Sequence, residues 1–166
     1  MQKPNFAKLD VLVCDPSQHM RMLIGQMLRH LKVHGIEEVQ SSTAALAALG
    51  SRKFGVILLD DQLRPASGVE LTRALRANEA GLNRLTPVIM MSAAPDADRI
   101  MAARDAGITE FLRKPFAANH VETRLTAVLA APRAFVETGA YAGPDRRRKV
   151  AEHAGRERRG AKDAAS

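Results

Sequence analysis

The run Val-Ile-Leu-Leu-Asp-Asp at positions 56–61 constrains the fold of this chain more than any other feature. Four consecutive apolar residues, two of them β-branched, end in a pair of carboxylates, and a helical pattern follows Ser67-Gly68. A continuous apolar run of this length predicts a strand that is buried on both faces. In open α/β sheets, ligands bind at the carboxyl ends of such strands. We therefore expect Asp60 and Asp61 at the rim of a cleft, the alternative being two solvated loop acids.

Four further short stretches are predicted as strands, the apolar runs at 11–14 and 88–91 and the mixed stretches at 36–39 and 108–112. Helical patterns separate the strands and follow the last one, with helix starts indicated at Ser17, at Ser42 or Thr43, near Gly68 and at Pro95-Asp96. Strands and helices that alternate strictly through short loops predict an α/β fold, a five-stranded parallel sheet with helices on both faces. We assign residues 9–131 to this domain and residues 132–166 to a C-terminal extension.

Polar side chains collect where the predicted strands end: Asp15 after the first, Asp60 and Asp61 after the third, Ser92 after the fourth and Lys114 after the fifth. Clustered carboxylates beside a backbone carbonyl suit Mg²⁺, and a hydroxyl and an ammonium group can hold phosphoryl oxygens. A carboxylate nucleophile can then form an acyl phosphate. The alternative is a buried Lys–Asp pair that only closes the loops.

With these residues, the stretch from Leu9 to Ala131 resembles a receiver domain of bacterial two-component signalling, of the CheY type, which implies a CheY/flavodoxin-like fold. The resemblance implies a signalling protein rather than an enzyme, at most one that phosphorylates itself, with a histidine kinase or phosphotransfer protein as a possible partner. It assigns roles to six positions: Asp60 as phosphoacceptor, Asp15 and the backbone carbonyl of Gln62 as metal ligands with Asp60, and Ser92, Phe111 and Lys114 as switch residues.

Pro16 departs from the family pattern, which places a second acid directly after the first one. In the family that second acid contacts the metal. Its replacement by proline predicts weak Mg²⁺ binding and impaired phosphorylation of Asp60. Asp61 follows Asp60 directly, so we expect its side chain to point elsewhere.

The remaining bulk properties concern compartment and charge. The chain has a single cysteine, Cys14, in an apolar run, no signal-peptide pattern and no apolar run near the ~20 residues of a membrane helix, so we expect a cytoplasmic protein without a membrane span. The extension has nine Lys/Arg residues against five Asp/Glu residues. Basicity concentrated there predicts an anionic partner for the extension.

The extension also contains a degenerate repeat, Gly-Pro-Asp-Arg-Arg-Arg at 143–148 and Gly-Arg-Glu-Arg-Arg-Gly at 155–160. Arginine bonds phosphate with its planar fork and stacks on bases, and an adjacent carboxylate can accept from the N–H groups of a guanine. Tyr141 is a candidate stacking platform. A repeated arginine–acid unit suits a ligand with two guanines and two phosphates. The alternatives are a merely solvated basic tail, or non-specific binding to nucleic acid or acidic lipid.

The sequence Tyr-Ala-Gly-Pro-Asp-Arg-Arg-Arg at 141–148 resembles the arginine-rich extension of the CheY-like cyclic di-GMP effectors (Cle proteins) of alphaproteobacteria. That resemblance implies binding of cyclic di-GMP and docking on the flagellar motor switch, with nucleic acid an unlikely partner. The implied ligand contacts are Tyr141, Asp145, Arg146, Arg147 and Arg148, and more weakly Glu157, Arg158 and Arg159. Because the extension has few apolar residues of its own, we expect it to be flexible until it binds its ligand.

Overall fold

The computed structural model describes residues 2–130 and 132–147 and confirms the predicted α/β fold. Five strands pair in parallel in the order β2-β1-β3-β4-β5. They are β1 (Asp10–Cys14), β2 (Gly35–Val39), β3 (Val56–Asp60), β4 (Val88–Ser92) and β5 (Glu110–Arg113). The fifth strand begins two residues later than predicted, and Ile108 is buried just ahead of it.

Five helices connect and follow these strands: α1 (Gln18–His30), α2 (Ser42–Ser51), α3 (Gly68–Ala77), α4 (Ala97–Ala106) and α5 (Ala118–Ala130). The N-caps are side chains that accept from the first turn, as at Ser17 and Asp96. Ser41, rather than Ser42 or Thr43, caps α2, and Ser42 is buried inside the first turn. A 3-10 turn (Phe6–Lys8) precedes the sheet.

Alternation along the central strands divides the core into two apolar layers. Val56 and Leu58 face the layer shared with α1 and α5, whereas Ile57 and Leu59 face the layer shared with α2, α3 and α4. Because successive side chains of a strand point to opposite faces, both faces of β3 are covered by helices. The strand that carries Asp60 is therefore held in the middle of the molecule.

The first part of the extension is folded, which corrects the expectation that it is flexible throughout. β6 (Phe135–Thr138) and β7 (Tyr141–Pro144) form an antiparallel hairpin that lies against α3 and α4. Arg84 joins it to the body, with Nη2 2.9 Å from Glu137 Oε1 and the guanidinium 5.1 Å from the Phe135 ring centroid. Residues 148–166 lie outside the described part of the chain.

The hairpin packs on a turn that a buried arginine stabilises. Arg76, at the end of α3, donates from Nε to the Gly107 carbonyl (3.0 Å) and from Nη1 to the Arg84 and Thr86 carbonyls. Burial lowers the pKa of Arg76 to about 10, so the side chain stays charged at neutral pH. Gly107 adopts a left-handed φ of 104°, and a Cβ there would lie 2.8 Å from the Ala142 carbonyl oxygen. The backbone of β7 thus crosses the α4–β5 turn in direct contact.

No helix in the described part of the chain is long and apolar enough to cross a membrane.

Candidate functional site

Two carboxylates and one ammonium group meet at the carboxyl edge of the sheet. Asp15 directly follows β1 and Asp60 ends β3, and these strands are neighbours, so their ends lie side by side. Lys114 follows β5, and its Nζ lies 2.6 Å from Asp15 Oδ2 and 2.5 Å from Asp60 Oδ1. Both carboxylates are buried. The structure thus brings three of the predicted residues into one cluster.

The cluster holds two acids for one lysine. Burial raises the pKa of the Asp60 carboxyl, opposed by the hydrogen bond and charge of Lys114. Burial lowers the pKa of Lys114, but its hydrogen bonds with Asp15 and Asp60 outweigh this and raise the pKa overall. Lys114 is therefore a fixed cation beside the carboxylate oxygens, placed to neutralise charge on a group attached to Asp60.

The residues present are a poor fit for a tightly held Mg²⁺. Asp15 Oδ1 already accepts from the Ser17 amide (2.8 Å), and the Arg21 guanidinium donates to the Asp15 carbonyl at 2.7 Å. Asp60 Oδ2 accepts from the Gln62 amide at 2.8 Å. Among the described residues, no three His, Cys, Asp or Glu side chains group into a metal site. With Pro16 in place of an acid, weak Mg²⁺ binding through Asp15, Asp60 and the Gln62 carbonyl stays a prediction.

The hydroxyl of Ser92, at the end of β4, is bonded to Asp61 rather than to Asp60. Ser92 Oγ donates to Asp61 Oδ2 at 2.8 Å, and Arg99 Nη1 of α4 lies 3.8 Å from the same oxygen. The Asp61 side chain is 10% exposed, and its Oδ1 is buried without a hydrogen-bond partner in the described structure. The sequence indicated that Asp61 points away from Asp60 but gave no sign of this bond, since it joins residues 31 positions apart.

Phe111 lies on the α4 side of the sheet, away from the Asp60–Lys114 cluster. It is half-buried, packs on the apolar layer beneath α2, α3 and α4, and lines a small cavity of about 170 Å³ together with Asp61 and Arg99. Its carbonyl accepts from Arg124 Nε of α5 at 2.9 Å. Phe111 thus lines the same cavity as Asp61, the hydrogen-bond partner of Ser92.

A second cluster forms where β7 meets α4. The Tyr141 ring is buried, and its hydroxyl donates to the Pro144 carbonyl at 2.7 Å. The Arg146 guanidinium lies 4.0 Å from the Tyr141 ring centroid and pairs with Asp105 of α4, with Nη1 2.5 Å from Oδ1. Arg146 thus covers the ring face that we expected a base to stack on, so the exposed stacking surface is the guanidinium itself.

The other predicted ligand contacts of the extension are only partly described. The Asp145 amide donates to the Ala134 carbonyl at 2.7 Å, and its Oδ1 accepts from the Arg147 amide at 2.9 Å. Asp145 therefore shapes the chain after β7. The remaining predicted contacts lie outside the described residues: Arg148, Glu157, Arg158 and Arg159.

The two clusters lie at opposite edges of the sheet. Asp60 ends β3 at the carboxyl edge, whereas β7 packs on Gly107, just ahead of β5 at the amino edge. The two clusters share no residue.

Comparison with known proteins agrees with this arrangement. Residues 11–126 match the response regulator receiver domain family. The chemotaxis protein CheY of Pseudomonas aeruginosa is 32% identical over 120 residues, covering 72% of this chain and 95% of that protein. The chemotaxis protein CheY-3 of Vibrio cholerae is 28% identical over 120 residues, covering 72% of this chain and 91% of that protein.

Solved structures give the same result for the fold. The chain is similar to the chemotaxis protein CheY4 of Vibrio cholerae with a TM-score of 0.67 and 25% identity, over 73% of this chain and 98% of that one. A CheY-like receiver domain protein from Methanospirillum hungatei, at 18% identity and a TM-score of 0.66 over 74% of this chain and 95% of that one, shows the fold alone. The match to the family over most of the chain, the sheet order and the Asp15–Asp60–Lys114 cluster lead to one conclusion: this chain belongs to the response regulator receiver domain family, as a CheY-like member.

Proposed function

We propose that this chain is a stand-alone CheY-like signalling protein that binds cyclic di-GMP through its arginine-rich extension. In the proposed cycle the complex docks on the flagellar motor switch and controls motility or surface attachment. The proposed docking on the motor switch is supported by the chemotaxis names of the relatives and by the resemblance of the extension to that of the CheY-like cyclic di-GMP effectors.

The observation that supports the ligand is the cluster at Arg146. An exposed guanidinium is stacked on Tyr141 and paired with the carboxylate of Asp105. These two groups together suit a guanine nucleotide, because a guanidinium bonds phosphate and stacks on a base while a carboxylate accepts from the guanine N–H groups. The described part of the extension is also held on the receiver body, which lowers the ordering cost of binding there.

Isothermal titration calorimetry with cyclic di-GMP tests the ligand. The full chain is titrated beside a version that ends at Pro132 and a full-length double variant, Arg147→Ala with Arg148→Ala. Saturable binding by the full chain alone is the expected result. No heat from the full chain would reject cyclic di-GMP as the ligand. Equal binding to polymeric nucleic acid with steep salt dependence would indicate non-specific phosphate binding instead.

Docking is tested with purified motor switch protein. The full chain should bind it with an affinity that changes on addition of cyclic di-GMP, and the Arg147→Ala, Arg148→Ala variant should lose that change. Equal affinity with and without cyclic di-GMP would mean that ligand binding by the extension does not control docking.

The second candidate is a conventional response regulator phosphorylated on Asp60 by a histidine kinase. The buried Asp15–Asp60–Lys114 cluster favours it, whereas Pro16 in place of a second acid counts against efficient Mg²⁺-dependent transfer. We expect slow labelling by acetyl phosphate in Mg²⁺, absent in Asp60→Asn. Labelling at the rate of an ordinary receiver would overturn the prediction of impaired phosphorylation and favour this candidate.

A further inference from the structure

We propose that the receiver body supplies half of the nucleotide site, in a groove between the extension and the α4, β5 and α5 elements. This inference rests on the proposed function and adds where the ligand lies. The groove encloses about 520 Å³, within the ~300–1,000 Å³ of small-molecule sites. Four arginines line it, two from the body and two from the extension: Arg104, Arg124, Arg133 and Arg146.

The charges of the groove fit a phosphate-bearing ligand. Its lining contains four guanidinium groups and two carboxylates, Asp105 and Glu110, so the net charge is positive. Arg146 pairs with Asp105 at 2.5 Å and Arg133 with Glu110 at 3.4 Å, which places a carboxylate beside a guanidinium at two positions. Arg104 and Arg124 are the additional cations, and both belong to the receiver body. A ligand that carries phosphodiester groups would balance the positive charge of this groove.

The acid that faces the extension's arginine comes from the body. Asp145 is used in the backbone turn after β7, through its bonds to Ala134 and Arg147. Asp105 of α4, not Asp145, contacts the Arg146 guanidinium. At this position the arginine–acid pair is therefore shared between the two parts of the chain.

Apolar side chains provide the floor on which a base can lie. Met101 and Phe111 line the groove with the arginines, and Met101 is 60% exposed. An exposed methionine beside arginine faces suits the flat surface of a purine. Because Phe111 also lines the small cavity at Asp61, a ligand in the groove contacts the same aromatic residue that neighbours the switch.

Calorimetry on full-length variants tests the composite site with cyclic di-GMP as the probe. Arg104→Gln and Arg124→Gln are titrated separately, with Arg73→Gln as the matched control, since Arg73 is exposed on α3 and outside the groove lining. Loss of one charge-assisted contact should weaken binding by about tenfold in each groove variant. The control should bind as the unmodified chain does.

Hydrogen exchange gives an independent readout on the unmodified chain. Ligand should slow exchange of backbone amides in the 108–111 segment, and should leave those of α2 unchanged. Because Arg124 Nε donates to the Phe111 carbonyl, the folding of Arg124→Gln is checked by circular dichroism. Arg104 is exposed, so the Arg104→Gln titration alone tests the composite site if Arg124→Gln unfolds.

The outcomes separate this inference from the function on which it rests. Unchanged affinity in Arg104→Gln and in any folded Arg124→Gln, with binding still lost in the version ending at Pro132, would place the ligand on the extension alone and overturn the composite site. No binding by the unmodified full chain would reject cyclic di-GMP itself, and the composite site with it.

Discussion

Asp60 and Asp61 are adjacent in sequence, but their side chains bond to different partners at the carboxyl edge of the sheet. Asp60 bonds Lys114, while Asp61 takes the hydroxyl of Ser92 and leaves its own Oδ1 buried without a partner in the described structure. The resemblance assigns Ser92 as a switch hydroxyl that would meet a phosphoryl group on Asp60, and in that role Ser92 would first have to break its bond to Asp61. A hydrogen bond to a charged group contributes about 1.5–3 kcal/mol, enough to oppose the switch.

Asp61→Ala should therefore raise the fraction of Asp60 that acetyl phosphate labels at steady state, by about tenfold. Mass spectrometry of the intact chain measures that fraction. Arg99→Ala is the control, because it removes the 3.8 Å contact with Asp61 and leaves the Ser92 bond in place. Equal labelling of Asp61→Ala and the unmodified chain would mean that this bond does not restrain Ser92.

Asp60→Asn should stabilise the protein at neutral pH by about 1 kcal/mol, because it removes one of two buried carboxylates that share Lys114. Since burial raises the pKa of Asp60 in the folded state, its ionisation costs stability as the pH rises from the unfolded value of 3.8 through the folded one. The advantage of the variant should shrink in acid. Urea unfolding across that pH range measures it, and a constant difference would contradict it.

At the scale of elements, β1, β3 and β4 were predictable as apolar runs because strands buried on both faces have little sequence freedom. The cap of α2 was displaced by one residue, since Ser41, Ser42 and Thr43 all carry capping hydroxyls and only the tertiary burial of Ser42 distinguishes them. The hairpin was missed for another reason. β7 is Tyr-Ala-Gly-Pro, without apolar alternation, and its partners Gly107 and Arg76 are distant in sequence.

Gly107→Ala tests how the hairpin is held. The substitution imposes a Cβ at φ 104°, 2.8 Å from the Ala142 carbonyl oxygen and 2.9 Å from Arg76 Cγ, so it should cost about 1–3 kcal/mol and loosen β7. Tyr141 is the sole tyrosine and the chain has no tryptophan, so intrinsic fluorescence reports on this contact. Gly50→Ala, with no atoms within 4 Å of the new Cβ, is the control and should be neutral or stabilising. A Gly107→Ala spectrum identical to that of the unmodified chain would refute the docking.

At the scale of the whole molecule, the carboxyl edge holds the Asp60 cluster and the amino edge holds the hairpin, so the chain has two separate places for an input. The sequence predicted a site at Asp60 and a site in the extension. That the two sites lie at opposite edges of the sheet follows from the order of the strands and from where β7 packs, which no local sequence pattern encodes. Binding linkage is reciprocal: if modification at Asp60 changed the affinity for a ligand, the ligand would change that modification equilibrium by the same factor.

We expect this coupling to be weak. Asp60→Asn should leave the affinity for cyclic di-GMP within about twofold, less than 0.5 kcal/mol, because no side chain is shared between the two clusters. Titration of Asp60→Asn beside the unmodified chain measures the effect, and Asp105→Asn, which breaks the pair with Arg146, provides the contrasting loss. A change above fivefold in Asp60→Asn would show that the edges communicate. Phe111 would then be the route, because it alone among the predicted switch residues lines both the groove and the cavity beside Asp61.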